Sequence, residues 1–275
     1  MEQIRYAIID GAVEVELVSF LSTQTFPHCC LYSPPVQPEI VELAPYLVQM
    51  TPEVDEWLKF RTTPWGITLF SAKPLHLVLQ HLRRYLWVKI PEQEKTVLLR
   101  FYDPRNIWAI LDVLTPLELS SFIGPISKIL THYEGYSHQE NFEFVYEEKD
   151  SSSSAKEALV LSSRQFKKLN KLTQTNYINK LACFIRDYYL ADKDFLQPDM
   201  AALHQQAEDY LFFCHAFNIV DSRSVRGITL ALLKKGITRT AEIPQQWEEL
   251  LSNSTQSIYY QVEKLLLREL GYIPE

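Results

Sequence analysis

The stretch Thr96-Val-Leu-Leu-Arg-Phe-Tyr-Asp-Pro-Arg-Asn-Ile-Trp-Ala-Ile-Leu-Asp-Val-Leu114 decides the fold class. In its first half Val97, Leu98, Leu99, Phe101 and Tyr102 form a nearly continuous apolar run, which predicts a buried strand. The period then changes. Asp103 is expected to be the N-cap of a helix, with Pro104 at its first position, where a missing N–H costs nothing. Ile107, Ile110, Leu111 and Leu114 follow at helical spacing and Asp112 falls on the opposite side. A strand that turns directly into a capped helix is the core unit of a layered α/β fold.

Outward from this stretch, strands are predicted at residues 6–10, 28–33, 65–71 and 86–90, with a short extended segment at 43–48. Helices are predicted at 13–21, 52–61, from Pro74 to about Arg84, and at 116–122; Gly124-Pro125 is a break, and 142–146 reads as a further strand. Residues 147–156 contain Glu-Glu-Lys-Asp-Ser-Ser-Ser-Ser and only one apolar residue, Ala155, the composition of a linker. Beyond it the pattern is helical only: 176–190, a helix capped by Asp199, one capped by Ser222 and ended by Gly236, and 255–270. The expected organisation is an α/β N-terminal domain with a mixed sheet over 1–147, a linker at 148–156 and an all-α lobe over 157–275.

The chain has 275 residues and a net charge of -7, which argues against non-specific nucleic-acid binding. Residues 1–150 carry 12 Lys+Arg against 20 Asp+Glu, and residues 151–275 carry 15 against 14. The acidic front half suits either a solvated face or a basic partner. No window is long and apolar enough for a bilayer, and Met1-Glu-Gln-Ile-Arg leads into a strand pattern, not the apolar core of a signal peptide. A cytoplasmic protein is expected. Cys29, Cys30, Cys183 and Cys214 have neither metal nor redox spacing and read as reduced thiols.

No motif of catalysis is present: no Gly-rich phosphate loop among seven glycines, no Gly-x-Ser-x-Gly, no His-Glu-x-x-His. Asp10, Asp103 and Asp112 are the carboxylates that a magnesium-dependent phosphoryl enzyme would gather. Read locally, Asp10 precedes a Gly turn, Asp103 caps a helix and Asp112 lies on a polar face. Neither a catalytic residue, a metal site nor a cofactor is expected. Arg100, inside an apolar run, must be paired if buried, with Asp10 and Asp103 the acidic candidates, or else contact a ligand. Trp65, Trp87 and Trp108 read as core residues, or as anchors if a groove exists.

The ordered set Tyr6-Ala-Ile-Ile-Asp-Gly-Ala12, Leu31-Tyr32, Ala44-Pro-Tyr-Leu-Val48, Trp65-Gly66, His81-Leu-Arg83, Leu99-Arg-Phe-Tyr-Asp-Pro-Arg105 and Phe122-Ile-Gly-Pro125 resembles the type VI secretion system effector chaperones, or adaptors. It spans about residues 4–130. The chain departs from that pattern at Ser33-Pro34, where the family often has Gly. The resemblance implies a non-enzymatic protein that binds a cognate toxic effector in the producing bacterium and loads it onto the secretion spike, the VgrG trimer or its PAAR tip. It also implies that recognition lies in the N-terminal lobe and that the helical lobe tunes it. Trp65, Arg83, Arg84, Arg100 and Arg105, within or beside the motifs, are the expected partner-binding residues; Asp10, Asp103 and Pro104 are the expected structural ones. The alternatives are a metal-dependent phosphoryl-transfer enzyme using Asp10 and Asp103, and an immunity protein that neutralises a toxin.

Overall fold

The structure, a computed structural model, describes residues 3–133, 135–142, 159–191, 199–252 and 256–274. The chain divides into two compact units, Met1–Leu172 and Thr173–Glu275. The expected linker at 148–156 and the expected strand residues 143–146 lie outside the described residues. The division at 172/173 comes later in the chain than the expected start of the helical lobe at 157.

The first unit is built on a six-stranded sheet in the order β2-β3-β1-β4-β7-β8, made of β1 Ile4–Asp10, β2 His28–Cys30, β3 Pro45–Gln49, β4 Gly66–Ser71, β7 Ile126–Tyr133 and β8 Tyr136–Asn141. Every pairing in it is antiparallel. A second sheet, β6-β5-β9, joins β5 Trp87–Lys89 to β6 Val97–Leu98 antiparallel and to β9 Leu159–Val160 parallel. The unit is therefore α/β with strands paired in both senses, and the parallel pair is confined to the small sheet.

The period of two along β1 divides the core. Tyr6 and Ile8 point to one face, where Leu47, Ile67, Leu69 and Ile129 join them; Ala7 and Ile9 point to the other with Val48. Helices α4 Leu75–Arg83, α5 Ile107–Val113 and α6 Pro116–Ile123 cover the first face through Val78, Leu82, Ile107, Ile110, Phe122 and Ile123. Helices α1 Leu17–Ser22 and α3 Pro52–Lys59 cover the second through Leu17, Leu21, Val54 and Leu58. The remaining helix here, α2 Pro38–Val41, is a single turn with no buried residue.

Two expectations for the opening stretch are corrected. The strand is only Val97–Leu98; the apolar run continues as turns, with the Phe101 N–H bonded to the Leu99 carbonyl and the Asp103 N–H to that of Arg100. Phe101 and Tyr102 are buried there against each other and Phe122. A continuous apolar run reports burial and leaves the backbone conformation open. Nor does a helix start at Pro104: α5 begins at Ile107, its N-cap position is Asn106, and no side chain caps it. Asp103 instead closes a turn. Its Oδ1 accepts the Arg105 N–H at 2.9 Å, and its carbonyl accepts from Asn106 and Ile107 at 3.0 and 3.1 Å.

The second unit is helical. Its core gathers Leu181, Ile185 and Tyr189 from α7 Ser163–Leu190, Leu203, Tyr210 and Cys214 from α8 Met200–Ala216, Val225, Ile228 and Leu232 from α9 Ser222–Lys234, Trp247 from α10 Gln245–Leu251, and Val262, Leu265 and Leu266 from α11 Ile258–Leu270. Helix α10 is absent from the expectations. Asp199 stands before α8 without a side-chain cap bond, and the cap of α9 is Asp221, not Ser222: its Oδ1 accepts the Ser224 N–H at 2.8 Å. Trp247 donates its indole N–H to Glu269, which also holds Lys235 and Arg268. Burial pushes the Cys214 thiol up to about 12, so it packs as an apolar group.

Candidate functional site

One end of the large sheet collects most of the motifs. The antiparallel register puts Asp10 opposite Pro45 and Ile9 opposite Gly66, so the end of β1, the start of β3 and the start of β4 lie together. Backbone bonds link them: Asp10 N–H to the Trp65 carbonyl at 2.8 Å, Gly11 N–H to Ala44 at 3.1 Å, and Leu31 N–H to Pro45 at 2.8 Å. Segments well separated in sequence thus form one connected rim.

Asp10 is 2% exposed and carries the centre of this rim. Its Oδ1 accepts the Ala12 N–H at 3.1 Å and its Oδ2 accepts a charged bond from Arg100 Nη2. The Arg100 pairing foreseen from sequence is therefore made with Asp10. Asp103, 3% exposed, takes the other arginine: Arg105 Nε donates to Oδ1 at 2.9 Å and Nη2 to Oδ2 at 2.6 Å. Beside Arg100 sits Tyr102, its ring centre 6.0 Å from the guanidinium and its hydroxyl hydrogen-bonded with Tyr32; burial, and then Tyr32 and Asp10, push its pKa well above the ordinary phenol value. Each buried carboxylate orients a guanidinium whose side chain is still 39% exposed for Arg100 and 41% for Arg105. Such held forks suit carboxylates and carbonyl oxygens.

The other expected residues have different placements. Arg83 works inside the fold: Nε donates to the Leu31 carbonyl at 3.0 Å, and Nη2 to those of Cys30 and Tyr32 at 2.9 and 3.2 Å. Trp65 is 7% exposed in the second-face core and offers no ring to a partner. Arg84 is exposed, and its side chain makes no hydrogen bond or ion pair among the described residues. Pro104 is buried. Asp112 stands apart from Asp10 and Asp103 on the surface, bonded to Lys168 at 2.8 Å. Among the described residues no group of three or more His, Cys, Asp or Glu side chains is placed to hold a metal ion.

Sequence reasoning missed two features on the opposite face of the sheet. Glu14, 3% exposed, accepts from Thr63 and pairs with Arg61 at 3.2 Å. Trp57 is half-buried, packed against the second-face core, with its ring stacked on Phe20 at 4.7 Å and covered by the Arg61 guanidinium at 4.1 Å. The signal was the acidic and aromatic stripe Glu53, Glu56, Trp57, Phe60 at helical spacing.

Residues 5–121 match the family model DUF4123, described as a domain of unknown function. That match covers the large sheet through β4, the small sheet's β5 and β6, and the whole Asp10–Arg105 rim. Comparison with curated proteins and with solved structures gives no match. No helix among the described residues is long and apolar enough to cross a membrane.

His81, inside the matched stretch, and Gly124, three residues beyond it, form a tight contact. His81 Nε2 donates to the Phe122 carbonyl at 2.7 Å, and a Cβ on Gly124 would stand 2.2 Å from its Cε1. Burial, with Arg84 acting the same way, pulls the His81 pKa from 6.5 down to about 4. The folded value lies below the unfolded one, so the unfolded chain binds the proton first as pH falls. The contribution is complete above 6.5 and is lost progressively from there to about 4, to a total of roughly 3 kcal/mol. Denaturant melts at pH 7.5 and pH 4.5 are expected to show this loss in the wild type and less of it in His81→Gln; equal losses would contradict it.

A smaller effect is expected at Asp103. Asp103→Ala removes the turn-closing acceptor and the partner of Arg105, but Arg105 is partly exposed and water replaces the lost partner. About 1–2 kcal/mol of destabilisation is expected, and less for Asp103→Asn, which keeps an acceptor for the Arg105 N–H. Denaturant melts of the two variants check the order.

Proposed function

We propose that this protein is a cytoplasmic adaptor that binds a cognate type VI secretion effector and helps load it onto the VgrG or PAAR component of the spike. The observation that carries the reading is the coincidence of the DUF4123 match with a rim in which the buried carboxylates each hold an arginine. A rim of that kind presents oriented guanidinium groups, which suits protein recognition. Asp10 and Asp103 are engaged by Arg100 and Arg105, an arrangement that favours binding over the phosphoryl-transfer alternative. Arg84, Arg100 and Arg105 are the residues offered to the effector, while Arg83 shapes the rim from behind.

The test is co-purification of the full chain with the product of the gene adjacent to its own. Retention is expected for the wild type and weaker retention for Arg84→Glu and Arg105→Gln, each shown to be folded; Arg105→Gln is used because a glutamate there would face Asp103. Absence of retention by the wild type, or unchanged retention by both variants, would overturn the reading. Metal-dependent nuclease or phosphatase activity of the purified chain would favour the enzyme alternative.

A further inference from the structure

Helix α3 carries a second stripe besides its core face. Val54 and Leu58 turn inward, while Glu53, Glu56, Trp57, Phe60 and Arg61, with Phe20 of α1, line an open groove of about 770 Å³. The groove lies among residues of the second sheet face, whereas the Asp10–Arg100 pair belongs to the first, where Tyr6 and Ile8 point. Its floor is aromatic: Phe20 and Trp57 are stacked with planes 9° apart, and Phe60 is 73% exposed. An exposed phenylalanine beside a stacked aromatic pair is an unusual surface for a protein in water.

The charge around this floor is one-sided. Arg61 is already held by buried Glu14 at 3.2 Å and by Glu16 at 2.8 Å. Glu56 has only the exposed Lys59, 3.5 Å away, and Glu53 is in no ion pair among the described residues. Two cations of the chain already rest on aromatic rings here, Arg61 over Trp57 at 4.1 Å and Lys59 over Phe60 at 5.4 Å. Phe20 and Arg61 thus occupy the Trp57 ring, and Phe60, Glu53 and Glu56 remain the exposed features of the groove.

We propose that this groove docks a segment of a partner protein in which an aromatic or aliphatic side chain is flanked by lysine or arginine. The apolar side chain covers Phe60 and the edge of the stacked pair, and the flanking cations face Glu53 and Glu56. A second copy of this chain is a poor occupant, because its net charge of -7 would bring like charge to an acidic groove. The proposal rests on reading the chain as an adaptor and gives that adaptor a second contact, of opposite charge preference to the arginine rim.

The experiment uses the full chain and two probes. The first is a blocked Gly-Lys-Phe-Lys-Gly peptide, with Gly-Glu-Phe-Glu-Gly and Gly-Lys-Ser-Lys-Gly as comparisons. The indole N–H signal of Trp57, assigned by its loss in Trp57→Phe, is followed by nuclear magnetic resonance. The basic aromatic peptide is expected to shift it, and the double variant Glu53→Gln, Glu56→Gln to weaken the effect by about fivefold, more so at low salt. Phe60→Ser, at an exposed position, is expected to abolish it. Equal responses to all three peptides, or no response to any, would overturn the proposal. The second probe is the adjacent gene's product. If it co-purifies equally with the wild type and Phe60→Ser, the groove is not its contact and this proposal fails while the adaptor reading stands. If it co-purifies with neither, the adaptor reading fails and the peptide result alone decides the groove.

Discussion

Gly66→Ala is expected to prevent the first unit from folding. Gly66 opens β4 at φ +151° beside β1, and a Cβ there would stand 1.8 Å from the Ile8 carbonyl oxygen and 2.9 Å from its carbon. Both are backbone atoms in the centre of the sheet, so no side-chain movement relieves the collision; β4 would have to leave β1. The cost is expected to exceed about 4 kcal/mol, the range reserved for a disrupted core or strained backbone. Gly135→Ala separates space from conformation. Gly135 also has positive φ, +78°, but nothing lies within 4 Å of its added Cβ, and about 1 kcal/mol is expected. Circular dichroism melts of the two variants decide the point: similar midpoints would refute the close-approach argument.

The second large effect is an asymmetry at the Asp10–Arg100 pair. Arg100→Ala leaves a carboxylate with 3% of its side chain exposed and without its cation, and a cost of roughly 3–5 kcal/mol is expected. Asp10→Asn leaves a guanidinium that is 39% exposed, and the amide oxygen still accepts the Ala12 N–H, so about 1–2 kcal/mol is expected. The double variant is expected to be more stable than Arg100→Ala alone, because no buried charge remains. Denaturant melts of the four proteins give the cycle; a costlier Asp10→Asn than Arg100→Ala would show that the buried carboxylate is not the vulnerable partner.

Much of the first unit was legible because its strands alternate or carry β-branched residues. Residues 6–10 and 65–71 became β1 and β4 within two residues at either end. The strands β7 and β8 were not read. Tyr136-Ser-His-Gln-Glu-Asn141 is exposed along its whole length, so no apolar face marks it; only its pairing with β7 makes it a strand. The turn after Arg100 was misread for the reverse reason: burial marked Phe101 and Tyr102 so strongly that they imitated a strand. At the site, Arg100 and its acidic partner could be inferred, since an arginine in an apolar run needs a counter-charge. The role of Arg83 could not, because its acceptors are three main-chain carbonyls more than 50 residues away, and carbonyls leave no trace in side-chain pattern. The second unit was legible as helices from their apolar spacing, but α10 was too short to show a period.

The Arg83 contacts bear on how the sheet edge opens. Strand β2 is three residues long and pairs with β3 alone, the kind of element that ordinarily frays in isolation. A single guanidinium gathers the carbonyls of Cys30, Leu31 and Tyr32 and anchors them to the last turn of α4, itself packed in the core through Val78 and Leu82. Release of the edge therefore requires release of the helix end. The amide protons of Cys29 and Leu31, which face β3, should exchange with solvent as slowly as those of α4, as one cooperative unit, and Arg83→Ala should uncouple them into a fast and a slow set.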